Sequence, residues 1–330
     1  MAPHPLPVRH LGELAAPAIG FGAMVLSPGM YGDIDDDRAM TALRHAIDAG
    51  ATFVDTSDAY GEGHNESLVG GAIGGRRNEV VIATKFGLNI HDGAEPHAFP
   101  VAYAFGELVV NAEPRYVRGY AEASLRRLDT DTIDLYYLHF PDPEVPIEDT
   151  AGAVAELIDE GLVGHFGVSN VTADELRRAH ATHPVTAVQV EWSMWRPISP
   201  ELLAVADELG VGIVAWSPLG GGFLTGTVTD LADADFRRNA PRFQGDNLAV
   251  NNERYAGVRR LAEDLAITPG QLALAWLLHQ HQAVVPIPGS RTPAHIDENI
   301  DAAGIDLHPD TLQQVDRVLA GTVPAGAALL

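Results

Sequence analysis

The chain has 330 residues, of which 46% are hydrophobic and 20% charged, a composition typical of a globular protein with a large core. Its formal net charge of -24 disfavours binding to nucleic acid or to anionic membrane surfaces, and no run of about 18 apolar residues predicts a membrane span. The absence of cysteine excludes a disulfide framework, a thiolate nucleophile and a cysteine-based metal site. Because the N-terminus lacks the pattern of a secretory leader, we expect a cytoplasmic protein.

Short apolar segments alternate with longer amphipathic segments along the chain. Eight strands are predicted at residues 18–24, 52–56, 80–84, 132–138, 165–168, 187–190, 211–216 and 283–287. Helices are predicted at residues 36–49, 66–73, 114–128, 147–160, 172–180, 200–209 and 269–280. Thr172 with Glu175 indicates a capping box, and Pro200 and Pro269 are suited to first helical positions. The strict alternation predicts one α/β domain over residues 1–330, an eight-stranded parallel β/α (TIM) barrel rather than an open sheet.

Two segments interrupt this alternation, at residues 87–113 and 220–252. Both follow the carboxyl end of a predicted strand, where barrel enzymes place their sites, so we expect them to shape a pocket rather than to be surface insertions. His91 and His97 lie in the first segment without a matching ligand partner, and we interpret them as solvated. Because no close histidine pair follows a strand, no metal site is predicted, and a metal-dependent hydrolase is the weaker alternative.

Polar side chains follow the second, third and fourth predicted strands. Asp55, Lys85 and His139 stand at the strand ends, and Tyr60 lies shortly after Asp55. Each alone has an ordinary structural explanation, but the carboxyl ends of barrel strands meet at one rim, where unpaired charge is costly unless it is used. Together they predict a phenol–ammonium–carboxylate chain in which Lys85 lowers the pKa of Tyr60. His139 is then expected to donate a hydrogen bond to a substrate carbonyl.

These motifs resemble those of the aldo-keto reductase superfamily. The resemblance spans residues 19 to about 303 and includes the sequence DTSDAYG at 55–61, TK at 84–85 and LH at 138–139. Residues 235–245 resemble a loop of the microbial and plant branch that includes perakine and pyridoxal reductases. The resemblance implies an NADPH-dependent enzyme that reduces a small-molecule carbonyl substrate, with Tyr60 as the proton donor in a complete tetrad. It does not name the substrate, because pocket loops differ among members of a fold.

The resemblance also implies where the nicotinamide and the pyrophosphate bind. Ser169, Asn170 and Gln189 match the groups that hydrogen-bond the carboxamide. Trp216 stands where an aromatic residue, more usually tyrosine, stacks on the nicotinamide ring. The pyrophosphate is expected to contact Ser217, Leu219 and Gly222.

A third matching segment begins at Gly289 and implies the binding site for the adenosine end. Ser290 and Arg291 are expected to face a 2′-phosphate, with His295 nearby. Adenine is expected to lie against Glu298 and Asn299. The simpler alternative for Arg291 is a solvated charge at the start of a helix.

A function of another class stays open at this point. The alternative is a non-catalytic nicotinamide-binding regulatory subunit like the potassium-channel β subunits, which resemble reductases and act mainly as partners. The complete tetrad favours the enzyme. Choice of substrate depends on segment 87–113, with Phe99, Tyr103 and Phe105, which the sequence does not place.

Overall fold

The computed structural model describes residues 6–90, 92–233 and 235–330. In chain order the strands are β1 (Val8–Leu11), β2 (Leu14–Pro17), β3 (Phe21–Gly22), β4 (Phe53–Asp55), β5 (Val81–Phe86), β6 (His97–Pro100), β7 (Glu107–Val110), β8 (Ile133–Leu138), β9 (Val163–Ser169), β10 (Val185–Glu191), β11 (Gly212–Trp216) and β12 (Val284–Pro286). The α-helices are α1 (Asp36–Asp48), α2 (His64–Ile73), α3 (Pro114–Leu128), α4 (Ile147–Asp159), α5 (Ala173–Thr182), α6 (Pro200–Leu209), α7 (Asn247–Arg254), α8 (Ala256–Asp264), α9 (Pro269–Gln280), α10 (Pro293–Asp301) and α11 (Pro309–Leu319). Among these helices, none is both long and apolar enough to cross a bilayer.

Eight of the strands form one parallel sheet in the order β3-β4-β5-β8-β9-β10-β11-β12. The sheet closes on itself through two backbone hydrogen bonds, from Gly20 N–H to Pro286 O at 3.0 Å and from Gly22 N–H to Pro288 O at 3.4 Å. A Cβ on Gly22 would lie 2.6 Å from Ile287 O, and one on Gly289 would lie 2.4 Å from Gly22 O. Closure therefore requires glycine at both positions. The predicted β/α barrel is confirmed.

The predicted elements agree with the observed ones to within about two residues, apart from the first strand. That strand was expected over 18–24, but only Phe21–Gly22 are extended, and Ala23–Leu26 turn into a 3-10 helix. A short buried apolar run has the same composition in either conformation, so periodicity could not separate them. Thr172 and Glu175 form the predicted capping box, and Pro200 and Pro269 occupy first helical positions.

The sheet separates two hydrophobic cores because successive strand residues point to opposite faces. The outer core packs the strands against the helices, and the inner core fills the barrel. Residues that represent the inner core are Phe53, Ala83, Leu135, Ala187 and Val214. The antiparallel pair β1 and β2 adds Leu11 to this core, beneath the first residue of β11, Gly212.

The two interrupting segments lie over the opposite end of the barrel. Residues 97–110 form an antiparallel hairpin of β6 and β7, and in its turn Ala102 N–H donates to Leu329 O at 3.1 Å. The second segment contains 3-10 turns and the start of α7, and its Phe236 N–H donates to Met30 O at 3.0 Å. Both segments are thus tied to distant parts of the chain at the carboxyl rim.

Candidate active site

The strand alternation places four polar side chains in the uppermost layer of the barrel. Asp55 follows the inner-core residue of β4 by two positions, and Lys85, His139 and Gln189 have the same relation to inner-core residues of β5, β8 and β10. Residues two apart on a strand face the same side, so all four point inward. Each is at most 7% exposed. The predicted convergence of Asp55, Lys85 and His139 is what the barrel geometry produces.

Lys85 is the centre of this cluster. Its Nζ donates to Asp55 Oδ1 at 2.5 Å, to Thr56 O at 2.8 Å and to Tyr60 Oη at 3.1 Å. Gln189 Nε2 donates to the other carboxylate oxygen of Asp55 at 2.7 Å. Burial lowers the pKa of Lys85, but Asp55 and Tyr60 together outweigh burial and leave that pKa above its usual value. Lys85 is therefore an ammonium ion, with a hydrogen bond for each of its three hydrogens.

Tyr60 lies in the turn after β4, with its ring 4.8 Å from Lys85 Nζ. The sequence predicted a lowered pKa for this phenol, and that expectation is wrong in direction. Lys85 does act to lower the pKa of Tyr60, but burial raises it by more, so the net pKa lies above 10.0. Tyr60 is consequently a protonated phenol at neutral pH, which is the form that can give up a proton.

His139 lies across from Tyr60, with the ring centroids 6.0 Å apart and the planes nearly perpendicular. The His139 ring also stacks on the Phe140 ring, with the centroids 5.1 Å apart. Burial, and then the nearby Lys85 charge, hold the pKa of His139 well below 6.5. The imidazole is neutral, and its Nδ1 lies 3.1 Å from Ser57 Oγ. This partner was not predicted from the sequence, although Ser57 stands inside the DTSDAYG motif.

Asn170 joins the ends of three strands. Its Nδ2 donates to His139 O at 3.1 Å and to Ser169 Oγ at 3.0 Å, and its Oδ1 accepts from Trp216 Nε1 at 3.2 Å. The Asn170 backbone is left-handed, with φ at 57°. A non-glycine residue there is uncommon and is often found at functional sites. Asn170 thus orients the half-buried Trp216 indole, a contact that the motif did not reveal.

The turn after β11 is built from left-handed residues. Ser217 has φ at 51°, and Gly220, Gly221 and Gly222 have φ between 57° and 88°. Ser217 Oγ accepts from Gly221 N–H at 2.9 Å, and Arg237 donates to Gly221 O at 2.6 Å. Within this turn Leu219 is buried and Gly222 half-buried. The predicted pyrophosphate residues therefore lie together on one tight turn.

The residues predicted to bind the adenosine end follow β12, and they do not share one tight turn. Arg291 donates through Nε to Val25 O at 2.6 Å, through Nη2 to Gly32 O at 3.1 Å and through Nη1 to Asp33 O at 3.2 Å. The guanidinium therefore clamps the loop that follows β3, with two of its five N–H groups left over. Arg291 is therefore more than a solvated charge at the start of a helix, which was the simpler alternative.

Helix α10 begins two residues after Arg291, and in the described ranges no side chain caps its N-terminus. Ser290 is half-buried and His295 is exposed. Glu298 accepts from Thr268 Oγ1 at 2.6 Å, and Asn299 is 8% exposed. Gly289 lies at the barrel closure described above. The close packing there explains why this residue is glycine, whether or not a ligand binds.

Aromatic side chains wall the rim on the side of His139. Phe99 lies 5.9 Å from Phe140, and Tyr103 and Phe105 each lie within 6.0 Å of Phe236, measured between ring centroids. These contacts place the three aromatic residues of segment 87–113 that the sequence left unplaced.

The expectation that His97 is solvated is wrong. His97 is 7% exposed, and its Nδ1 lies 2.8 Å from Asp142 Oδ2. The hydrogen bond that His97 donates to Asp142 outweighs the opposing effect of burial and raises the pKa of His97. The pair ties the hairpin to the loop after β8. His91 lies outside the described residues, and in the described part of the chain no group of acidic and histidine side chains is arranged to hold a metal ion.

The rim chemistry fits a nicotinamide cofactor. It offers an oriented indole, hydroxyl and amide groups beside it, a tight turn of backbone and an uncapped helix N-terminus next to Arg291. Such a set matches an aromatic carboxamide joined to phosphates, since helix N-termini and exposed amides bind anions.

Comparison with known proteins agrees with this arrangement. A model of the aldo/keto reductase family matches residues 18–320. A probable aldo-keto reductase from Glycine max is 41% identical over 314 residues, covering 93% of this chain and 87% of that protein. A glycerol dehydrogenase of Gluconobacter oxydans superposes with a TM-score of 0.80 at 27% identity, over 97% of each chain. An aldo-keto reductase of Klebsiella pneumoniae, solved in complex with NADPH, superposes with a TM-score of 0.72 at 28% identity, over 99% of each chain. The chain belongs to the aldo/keto reductase family.

Proposed function

We propose that this protein is an NADPH-dependent oxidoreductase that reduces aldehydes or ketones to alcohols, with Tyr60 as the proton donor. The observation that carries the proposal is the buried chain Asp55–Lys85–Tyr60, joined by hydrogen bonds of 2.5 Å and 3.1 Å. A buried ammonium ion that bridges a carboxylate and a phenol is typical of a catalytic site. NADPH as the cofactor is supported by family membership and by the Klebsiella pneumoniae relative crystallised with it.

A bound reduced nicotinamide supplies the hydride for the carbonyl carbon. The residues of the chain handle the proton and the orientation. Tyr60 gives its phenolic proton to the carbonyl oxygen, and Lys85 stabilises the phenolate that results. His139, as a neutral imidazole, donates a hydrogen bond to the same oxygen from the opposite side. Asp55 and Gln189 hold Lys85 in place through the hydrogen bonds described above.

The nicotinamide is proposed to stack on Trp216, with its carboxamide between Ser169, Asn170 and Gln189. After the internal hydrogen bonds are made, Ser169 retains a hydroxyl hydrogen and Gln189 retains its carbonyl oxygen. Donor and acceptor are thus both present for an amide. Ser217, Leu219 and Gly222 would contact the pyrophosphate.

For the adenosine end, the proposed contacts surround the start of α10. Arg291 would contribute its two remaining N–H groups to the 2′-phosphate, together with Ser290 and the nearby His295. Glu298 and Asn299 would contact adenine. Gly289 would contribute by bringing this segment close to the rim.

The remaining parts of the proposal concern organisation and context. We propose one domain over residues 1–330, acting in the cytoplasm on a small-molecule carbonyl substrate. With a net charge of -24, neither nucleic acid nor an anionic membrane surface is a favourable partner.

The test is turnover on a panel of aldehydes and ketones, followed as loss of NADPH absorbance and compared with a protein-free blank. Cofactor binding is measured separately by quenching of Trp216 and neighbouring tryptophan fluorescence. We expect both binding and turnover. Binding without turnover on the whole panel would instead support the non-catalytic regulatory subunit.

A further inference from the structure

Behind His139 lies a buried pair of side chains that the proposed mechanism does not use. Ser57 Oγ lies 3.1 Å from His139 Nδ1 and also 3.1 Å from Asp58 Oδ1. Ser57 and Asp58 are 0% and 1% exposed. The Ser57 hydroxyl accepts from Ala59 N–H at 3.2 Å, so it has one acceptor site and one hydrogen left for two neighbours.

The position of that one hydrogen matters for His139. A neutral imidazole carries a single N–H, and the partner of one ring nitrogen decides which nitrogen carries it. To donate to a carbonyl oxygen, His139 must carry its hydrogen on Nε2. We propose that Ser57 and Asp58 are positioning residues that set the tautomer of His139. The inference rests on the proposed function, because it takes Nε2 as the nitrogen that faces the substrate.

The two protonation states of Asp58 give opposite results. A protonated Asp58 donates its O–H to Ser57 Oγ, so Ser57 donates its own hydrogen to His139 Nδ1 and the imidazole hydrogen stays on Nε2. An ionised Asp58 can only accept, so it takes the Ser57 hydrogen, and Nδ1 must donate to Ser57 Oγ. Nε2 then carries no hydrogen, so it can accept a hydrogen bond from an alcohol hydroxyl but cannot donate one to a carbonyl oxygen.

The surroundings of Asp58 favour its neutral form. Its Oδ2 is buried and has no hydrogen-bond partner among the described residues. An ionised carboxylate with one oxygen buried and unpaired is unfavourable, so the protonated form is preferred. Glu66 of α2 faces it and is paired with Arg127 of α3 at 2.6 Å, while Tyr136 of β8 and Tyr60 also lie near.

Burial, followed by the Glu66 charge, raises the pKa of Asp58 to about 8. At neutral pH the chain therefore holds His139 as the Nε2–H tautomer. Above that pKa the tautomer reverses. Because burial puts the pKa of Tyr60 above 10.0, loss of the Tyr60 proton falls at a separate, higher pH.

The direct test is nitrogen NMR of the enzyme labelled with ¹⁵N-histidine and saturated with NADP⁺, titrated from about pH 6.5 to about pH 9.5. His139→Gln identifies the His139 signals. We expect the shifts of a protonated Nε2 at the lower pH and of a protonated Nδ1 at the higher pH, with the midpoint near the pKa of Asp58. One unchanged tautomer across the range would overturn the proposal. This arm requires no turnover, so its failure is distinct from failure of the proposed function.

The kinetic test uses the pH profile of kcat/KM for carbonyl reduction. In the wild type we expect a break near pH 8, above which kcat/KM falls about tenfold per pH unit. Asp58→Asn and Ser57→Ala should both lose this break, whereas Glu66→Gln should move it to lower pH.

The matched control is Ser124→Ala, which removes a hydroxyl that is also 0% exposed but lies beside Arg127, away from His139. It should keep the wild-type break. A wild type without a break, or a break retained in both Asp58→Asn and Ser57→Ala, would overturn the assignment.

Discussion

At the ends of β4, β5 and β8, the polar side chains of the site are held mainly by one another, whereas Ser217 after β11 and Arg291 after β12 are held by backbone groups. Lys85 has three partners in the first region, which we term the acid–base half. Arg291 also has three partners, but each is a carbonyl of a distant loop, in the region that we term the nucleotide half. In the proposed function, the first half carries the proton, and the second half binds the cofactor on a surface that long-range contacts assemble. Substitutions should therefore affect turnover in the first half and cofactor affinity in the second.

The largest effect is expected from Tyr60→Phe, which deletes one hydroxyl from the acid–base half. Removal of a positioned acid should lower kcat by roughly 10²–10⁴-fold while NADPH affinity stays the same, since no nucleotide contact is lost. Steady-state kinetics and a fluorescence titration of the same sample check both parts. A mutant with near wild-type kcat would transfer the role of proton donor to another group, His139 being the next candidate.

Lys85→Met should lower both turnover and stability. It leaves the Asp55 carboxylate buried without its cation, and loss of one partner of a buried pair costs about 3–5 kcal/mol of unfolding free energy. Denaturant unfolding measures this loss, and the remaining activity should show a changed pH profile.

The matched control for that prediction is the double variant Asp55→Asn with Lys85→Met. It removes the uncompensated charge, so its loss of stability should be smaller than the sum of the two single losses. Additive losses together with an unchanged pH profile for Lys85→Met would argue against a coupled Tyr60–Lys85 pair.

In the nucleotide half, Arg291→Ala should weaken NADPH binding by roughly tenfold to a hundredfold, the equivalent of about 1.5–3 kcal/mol for charge-assisted hydrogen bonds. NADH lacks the 2′-phosphate and should lose much less affinity. Paired fluorescence titrations of wild type and variant give the comparison. Equal weakening for both cofactors would restrict Arg291 to clamping the loop that contains Val25 and Gly32. A wild type that prefers NADH would defeat the prediction outright.

The smallest effect concerns the hairpin that covers the acid–base half. Because Asp142 raises the pKa of His97, the pair stabilises the hairpin fully below the unfolded-state pKa of about 6.5, and this contribution is lost as pH rises through the higher folded-state pKa. We expect the free energy of local opening in β6 and β7 to fall by less than about 2 kcal/mol over that range.

Hydrogen exchange, corrected for the intrinsic rate at each pH, measures this opening, with amides of β8 and β9 as the internal control. His97→Asn should abolish the pH dependence in the hairpin. The same dependence in that variant would show that another group controls the hairpin.

The barrel and the inward-facing cluster could be predicted from the sequence alone. Alternating strands and helices require a parallel sheet with its loops at one rim, and a period of two places Asp55 and Lys85 on the inner face of adjacent strands. The DTSDAYG motif then puts Tyr60 within reach of that face. These conclusions need only the chain order and local geometry, which is why they could be predicted.

The pKa values and the hydrogen-bond partners of those groups depend on tertiary packing. Burial raises the pKa of Tyr60 more than Lys85 lowers it, and burial depends on the whole set of packed neighbours. Ser57 meets His139 across 82 positions of sequence, and Arg291 meets Val25 across 266. No periodicity or local motif encodes such contacts, because they arise when separate loops fold over the same rim. The sequence therefore determines which side chains come to the rim, and the packing around them determines their protonation and their partners.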